Sequence, residues 1–225
     1  MSEPLAGGIE EYYARRASEY DRIYARPERQ ADLAELRAVL SRFALGRRLL
    51  EVACGTGYWT LVAAPVAESV VATDAVDEVL GVARGRGMPE ERVRFVRADA
   101  FELQAVPGDF DAGFAGFWWS HVRRGVLPGF LEGLHRRLGP GAAMLFFDNR
   151  FVEGSSTPIA RTDAAGDTCQ ERVLSDGSRY EVVKNFPSRS EVRQWLADAG
   201  GKAIRVEELD YYWCATYEVG ETQNR

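Results

Sequence analysis

The chain alternates between two hydrophobic rhythms. Leu49 to Val52, Ser69 to Thr73, Val93 to Val96, Phe110 to Gly116 and Ala142 to Phe147 are short, largely apolar runs, the pattern of buried strands. Between them apolar residues recur at spacings of three and four, as in Leu33, Leu36, Leu40 and Phe43, and this predicts helices there, from Trp59 to Ala67, from Val76 to Arg84 and from Val126 to Leu138. Pro27 is placed to start the helix that carries Leu33 to Phe43 and Gly46 to end it, while Pro65 predicts that the Trp59 helix stops early or kinks. Farther along, Thr168 to Leu174 and Ser178 to Lys184 alternate around Asp176-Gly177, a hairpin signal. Ser188 with Glu191 forms a capping box for a helix to Ala199, and Ile204 to Glu208 and Tyr211 to Val219 read as closing strands. Gly220 to Arg225 reads as a frayed end.

These elements are organised around Arg48 to Thr60. A strand that stops at Gly55-Thr56-Gly57 before a helix resumes at Trp59 leaves a tight turn, where glycine permits positive φ and close approach to a ligand. The new helix aims unpaired N–H groups at the same place. A nucleotide-like ligand is expected across the turn. A dinucleotide fold wants a third glycine where Thr60 stands, and a nicotinamide oxidoreductase is disfavoured accordingly. Glu51, on the strand itself, is a poor neighbour for pyrophosphate and a good one for a cation. With Glu51, Gly55 and Gly57 in the spacing acidic-x-x-x-Gly-x-Gly, the chain resembles the class I S-adenosylmethionine (SAM) methyltransferases. SAM carries an ammonium and a sulfonium and no phosphate, which suits that charge.

Two further strand tips fit the resemblance. Asp74 ends the second strand, where such folds use a carboxylate to accept from ribose hydroxyls; its other reading is an N-cap for the following helix. Asp99 ends the third and resembles the family's adenine contact, with Phe101 able to pack on the base. The resemblance implies a cofactor set of Glu51, Ala53, Gly55, Thr56, Gly57, Asp74, Ala75, Asp99, Ala100, Phe101, Phe117 and Tyr20. SAM is then the cofactor and S-adenosylhomocysteine (SAH) its product.

The fourth strand closes at Phe117-Trp118-Trp119-Ser120-His121, where the resemblance places the methyl group and the arriving acceptor. Adjacent residues of a strand face opposite sides, so at least one of Trp118 and Trp119 should line a pocket for an aromatic acceptor. His121 is the candidate base, or else a histidine bonded at a helix start. Arg150, after the fifth strand, is either a clamp for a substrate carboxylate or a solvated loop residue. Tyr12, Tyr13 and Tyr20 lie in Glu10 to Tyr24, read as one amphipathic helix whose aromatic face packs on the domain or closes the site as a lid. His135 reads as structural.

Composition narrows the function. The 225 residues carry a net charge of -6 and 46% hydrophobic residues, ordinary for a globular protein, and the acidic balance disfavours a nucleic-acid partner. No apolar run reaches the roughly 20 residues of a membrane span, and Met1 to Gly8 holds no basic apolar leader, so a cytoplasmic protein is expected. Cys54, Cys169 and Cys214 have no ligand spacing and read as reduced thiols, with no metal site. The resemblance implies an α/β fold: one doubly wound domain over residues 1–225, with a mostly parallel seven-stranded sheet whose last strand is antiparallel. Residues 1–45 form an N-terminal helical lid and 151–187 an inserted loop and hairpin, a place for substrate selection or homodimer contacts. The expected function is methyl transfer to N or O of a small aromatic or heteroaromatic metabolite. The alternative is a SAM-binding sensor or partner subunit whose acceptor pocket is plugged by Phe117, Trp118 and Trp119.

Overall fold

The computed structural model of the chain describes residues 8–221; the reading of 222–225 as frayed lies outside them, as do residues 1–7. The first segment departs from the single predicted helix. It is an α-helix, α1 (Ile9–Arg16), followed by a tighter 3-10 segment (Ala17–Ala25). The tightening occurs where Asp21 is tied down: it accepts from the Thr56 hydroxyl at 2.6 Å and pairs with Arg86. Tyr24 is thereby turned inward to stack on Tyr58, centroids 3.9 Å apart. A short 3-10 turn at Pro27–Arg29 leads into α2 (Gln30–Ala44), which buries Leu33, Leu36 and Leu40, and Gly46 follows at φ 68°.

Then comes the alternation read from the sequence: β1 (Arg48–Val52), α3 (Tyr58–Ala63), β2 (Ser69–Asp74), α4 (Asp77–Arg84), β3 (Val93–Arg97), β4 (Ala112–Gly116), α5 (Leu127–Leu138) and β5 (Ala143–Asn149). α3 ends just before Pro65, as its missing N–H requires. The chain then builds a separate antiparallel sheet, β6 (Arg161–Thr162), β7 (Thr168–Val173) and β8 (Arg179–Val183), before α6 (Arg189–Asp198), β9 (Gly201–Glu208) and β10 (Tyr212–Val219). Ser188 and Glu191 make the predicted capping box on α6. The hairpin turns at Gly177, φ 86°, with the Asp176 carboxylate accepting from the Ser178 N–H at 2.9 Å. The strand β6 was not visible as a pattern; two residues carry no periodicity.

The main sheet has the order β3-β2-β1-β4-β5-β10-β9, parallel from β3 to β5, with β10 antiparallel to both neighbours. One apolar layer covers each face, Leu50, Phe130 and Trp213 on one side and Leu49, Phe114 and Leu145 on the other. At about 25 cal/mol per Å² of buried apolar area, such layers supply the main stabilising term. Strand order reverses between β1 and β4, and the strand ends splay there to leave a crevice. Gly116 ends β4 where a Cβ would lie 2.3 Å from the Phe147 ring, so only glycine admits that approach.

Candidate active site

Above the carboxyl ends of β1, β2, β3 and β4 lies a cavity of about 460 Å³. β1 runs into Ala53, held at φ 54°, and Gly55, at φ 55°. This left-handed backbone costs an alanine roughly 1–2 kcal/mol and turns the chain beneath the cavity. Asp74 rises from the tip of β2; its carboxylate accepts from the Gly55 N–H at 2.8 Å and the Val76 N–H at 3.0 Å. The N-cap reading is corrected: α4 has Val76 as its N-cap and no side chain caps it. Burial pushes the Asp74 carboxyl above its ordinary value, and those backbone N–H groups pull the other way. Asp99 accepts from the Phe101 N–H at 2.9 Å. Asp74, Ala75, Asp99, Ala100 and Phe101 share the cavity wall with Ala53 and Gly55, and Tyr20 and Phe117 close its far side.

Three expected cofactor residues lie behind that wall. Glu51 is 2% exposed beneath the turn and accepts from the Thr60 hydroxyl at 2.6 Å. Burial pushes its carboxyl up to about 8, so it is largely neutral at pH 7 and not the standing anion expected from sequence. Thr56 is turned to Asp21 and buried. Gly57 starts α3 at φ 75°, where a Cβ would press on that of Ala83 at 3.0 Å. Its glycine serves packing of the turn against α4.

A second, smaller cavity of about 130 Å³ opens beside the first. Tyr13, Tyr20, Phe117, His121 and Val182 line both, so they form the partition between them. His121 Nδ1 lies 2.8 Å from the Val183 carbonyl, which only accepts, so this nitrogen carries the proton. Nε2 therefore accepts from the Tyr13 hydroxyl at 2.8 Å. Burial, with Lys184 nearby, pushes the His121 imidazolium down to about 3, and the ring is neutral near pH 7. His135 is structural as expected, bonded to the Ala199 carbonyl and the Tyr217 hydroxyl.

Two expected acceptor contacts are corrected. Trp119 is 3% exposed and packs edge-on against Phe146 and Trp213 in the core. Arg150 points outward, its Nε 3.4 Å from Glu208 and its Nη1 bonded to the Leu209 carbonyl. Trp118 does line a cavity, but the larger one, and its buried indole N–H has no acceptor among the described residues. Of the three rings read as a possible plug, only Phe117 reaches the wall of the smaller cavity, and Trp118 and Trp119 lie outside it.

That wall holds residues the motif reading missed. Arg16 comes from α1, Arg29 from the turn before α2, Arg172 from β7, and Lys184 follows β8. Lys184 donates to Ser120 Oγ at 2.6 Å and to Asp148 at 3.3 Å. Asp148, at the end of β5, is fully buried; burial raises its carboxyl, but Lys184 and the Ser120 N–H outweigh that and hold it low. One signal was available: Lys184 is in phase with Tyr180 and Val182, and Arg172 with Gln170, on the inward side of a period-two pattern. A charged residue in phase with buried ones is an exception that asks for a partner.

All three cysteines are free and buried, no group of metal-ligating side chains occurs among the described residues, and no described helix is long and apolar enough to cross a membrane. The carboxylates of Asp74 and Asp99, the left-handed turn and the volume of the larger cavity fit a nucleoside-sized cation. Comparisons agree with that fit. Residues 49–141 match the methyltransferase-domain family. The DhpI–SAH complex is 29% identical with a TM-score of 0.74, covering 95% of this chain and 96% of that one. The DhpI-SAM-HEP complex is 28% identical with a TM-score of 0.75, covering 95% and 99%. A protein of Staphylococcus aureus (strain JH9) named demethylmenaquinone methyltransferase is 31% identical over 73% of this chain and 71% of its own length.

Proposed function

This chain belongs to the class I SAM-dependent methyltransferases, with SAM as its methyl donor, and from that premise we propose that its acceptor is a small polar molecule seated in the smaller cavity. The observation that carries the reading is the shared partition: Tyr13, Tyr20, Phe117, His121 and Val182 face both cavities, so two ligands would meet there. SAM supplies, when bound, an electrophilic methyl group on a sulfonium. Asp74 and Asp99 would hold its nucleoside, and Ala53 and Gly55 bring backbone close to the remainder.

Positioning is the main work of the site. Fixing two reactants in line lowers a barrier by about 7 kcal/mol or more without acid or base. α1 and the inserted sheet contribute residues to the walls of both cavities, where they would shield a bound acceptor from water. His121 is the wrong base for neutral pH, because a group pushed down to about 3 holds a proton poorly. Its fixed tautomer instead aims Nε2 at Tyr13 and locks that phenol in the partition. The acceptor atom would arrive with its lone pair free, as an oxygen anion or a neutral amine.

The two tryptophans expected to receive an aromatic acceptor do not line the smaller cavity, where Tyr12, Tyr24, Phe186 and Tyr212 stand instead. The name of the S. aureus relative suggests a second reading, a demethylmenaquinone-like acceptor. Tyr and Phe rings in the wall could flank its quinone, but Arg16, Arg29, Arg172 and Lys184 would then face a ligand without an anionic group. Incubation with methyl-labelled SAM decides between the two: label should enter small polar acceptors and leave demethylmenaquinone unlabelled. Transfer to demethylmenaquinone alone would overturn the proposal.

A further inference from the structure

Resting on the reading of the smaller cavity as the acceptor site, we propose that the acceptor carries a doubly charged, phosphate-type oxyanion held by Arg29, Arg172, Arg16 and Lys184. Arg29 is 7% exposed, yet its guanidinium bonds only neutral oxygens, Ser155 Oγ at 3.0 Å and Asn149 Oδ1 at 3.2 Å. It lies 5.1 Å from the Tyr211 ring centroid. Arg172 donates to Thr157 Oγ1 at 2.5 Å and Gln170 Oε1 at 2.7 Å, and Arg16 to the Tyr12 hydroxyl at 2.6 Å. Among the described residues, no carboxylate comes within 4.0 Å of Arg16, Arg29 or Arg172. Arg15, Arg48, Arg86, Arg97, Arg123, Arg124 and Arg150 each have one. Arg16, Arg29 and Arg172 thus meet at one cavity with no counter-ion among the described residues, in a chain whose net charge is -6, whereas others without one, such as Arg84, Arg94 and Arg205, stand exposed to water.

Taking a guanidinium out of water without an anion is costly, and a fold that gathers three of them needs a ligand to compensate. No Asp or Glu lines the cavity. Asp148 neutralises Lys184 in part and is out of the wall. The cations approach from α1, from the turn before α2, from β7 and from the end of β8, hence from several directions. A tetrahedral oxyanion presents oxygens along such directions, whereas a carboxylate confines its two oxygens to one plane. Arginine matches phosphate-type oxygens in bidentate fashion. The hydroxyls of Ser155, Ser156 and Thr157 add neutral donors along the same wall.

The test is calorimetric, on the full chain saturated with SAH, with inorganic phosphate and succinate as probes and with Arg172→Gln and Arg29→Gln as variants. Phosphate should bind the unaltered chain more tightly than succinate, weaken with added salt, and lose affinity at least about tenfold in either variant. SAH affinity should stay put. Arg29→Gln touches packing around Tyr211, so Arg172→Gln, on the inserted sheet, keeps the test valid if the first variant misfolds. Absence of phosphate binding with SAH binding intact, tighter binding of succinate, or equal phosphate affinity in Arg172→Gln would overturn the inference and leave the methyltransferase reading standing. Failure to bind SAH would strike that reading instead. A second measurement is independent: an anion among these cations relieves repulsion of a sulfonium, so phosphate should tighten SAM more than SAH, whose sulfur is uncharged. Equal tightening of both would count against the proposal.

Discussion

The two cavities share a wall and oppose each other in charge and in origin. The larger is lined by Glu10, Asp74, Asp99 and Glu181, with Arg123 its lone arginine, already paired to Asp163. The smaller has Arg16, Arg26, Arg29, Arg172 and Lys184 and no carboxylate. The floor of the first is built at the tips of β1 to β4, so Asp74 and Asp99 are set by the sheet's own topology, while Glu10 and Glu181 reach it from α1 and the inserted sheet. The second is assembled from α1, the turn before α2, the loop around Ser155 and the inserted sheet, segments far apart in sequence. Donor chemistry is tied to the framework here, and acceptor choice to what was added to it.

The comparison breaks most readily at Lys184. Lys184→Met strips Asp148 of its ion pair while leaving N–H and O–H donors from Ser120 and Asn149, so we expect a loss of about 3 kcal/mol in urea unfolding, the low end for an orphaned buried charge. A loss below about 1 kcal/mol would mean that Asp148 needs no cation and that Lys184 is free for a ligand. On the other side, Asp74→Asn should weaken SAH by about 1–3 kcal/mol in calorimetry and leave phosphate binding in the smaller cavity unchanged. A matched loss of both would show that the cavities are one site energetically.

pH sharpens the contrast, because a buried group in each region works with opposite sign. Glu51 has an ordinary value near 4.5 and sits at about 8 when folded. Between those values the folded chain binds the extra proton, so stability falls as pH rises. Glu51→Gln should gain on the unaltered chain by up to about 1.4 kcal/mol per pH unit across that window. His121 is pushed down from 6.5 to about 3. Below 6.5 the unfolded chain takes a proton that the folded chain refuses, so stability is full above 6.5 and drains as pH falls. His121→Gln, which keeps a donor for Val183 and an acceptor for Tyr13, should therefore melt less pH-sensitively between about pH 6.5 and 5. If the unaltered chain and His121→Gln tracked each other through that range, the neutral-ring assignment would fall.

Legibility followed the same division. Gly55, Asp74 and Asp99 could be picked out because each ends an apolar run at a short fixed distance from the last, and the main sheet formed where those runs lie. The boundaries moved where tertiary ties intervened, as at Asp21, which draws the Ala17–Ala25 segment into a tighter coil. Arg29 offered no such signal. Nothing local distinguishes it from the exposed Arg26, and contacts with Ser155, Asn149, Tyr211 and Tyr212, 120 or more residues away, bury it. Arg150 was the converse: a strand-tip position suggested a clamp, but Glu208 on the neighbouring edge claimed it. Glu51 stands on β1 as read, but behind the cavity wall and with its carboxyl pushed up by burial, since spacing says nothing about burial.

The smallest effect is expected at the partition and the turn, where Ala53 at φ 54° and Phe117 at φ 60° carry the same backbone strain for different reasons. Phe117 is 7% exposed and meets Tyr24, Trp59, Phe147 and Tyr212, so its ring must stay and the strain is tolerated for packing. Ala53 contributes a single methyl to the cofactor wall. Replacing it by glycine removes a left-handed penalty of roughly 1–2 kcal/mol and adds about 0.4–1 kcal/mol of unfolded-chain entropy. Ala53→Gly should therefore raise stability by about 0.5 kcal/mol in chemical unfolding. SAH affinity is the more telling readout: an unchanged value makes the methyl incidental, while a loss without loss of stability means that alanine stiffens the turn in the shape the cofactor needs.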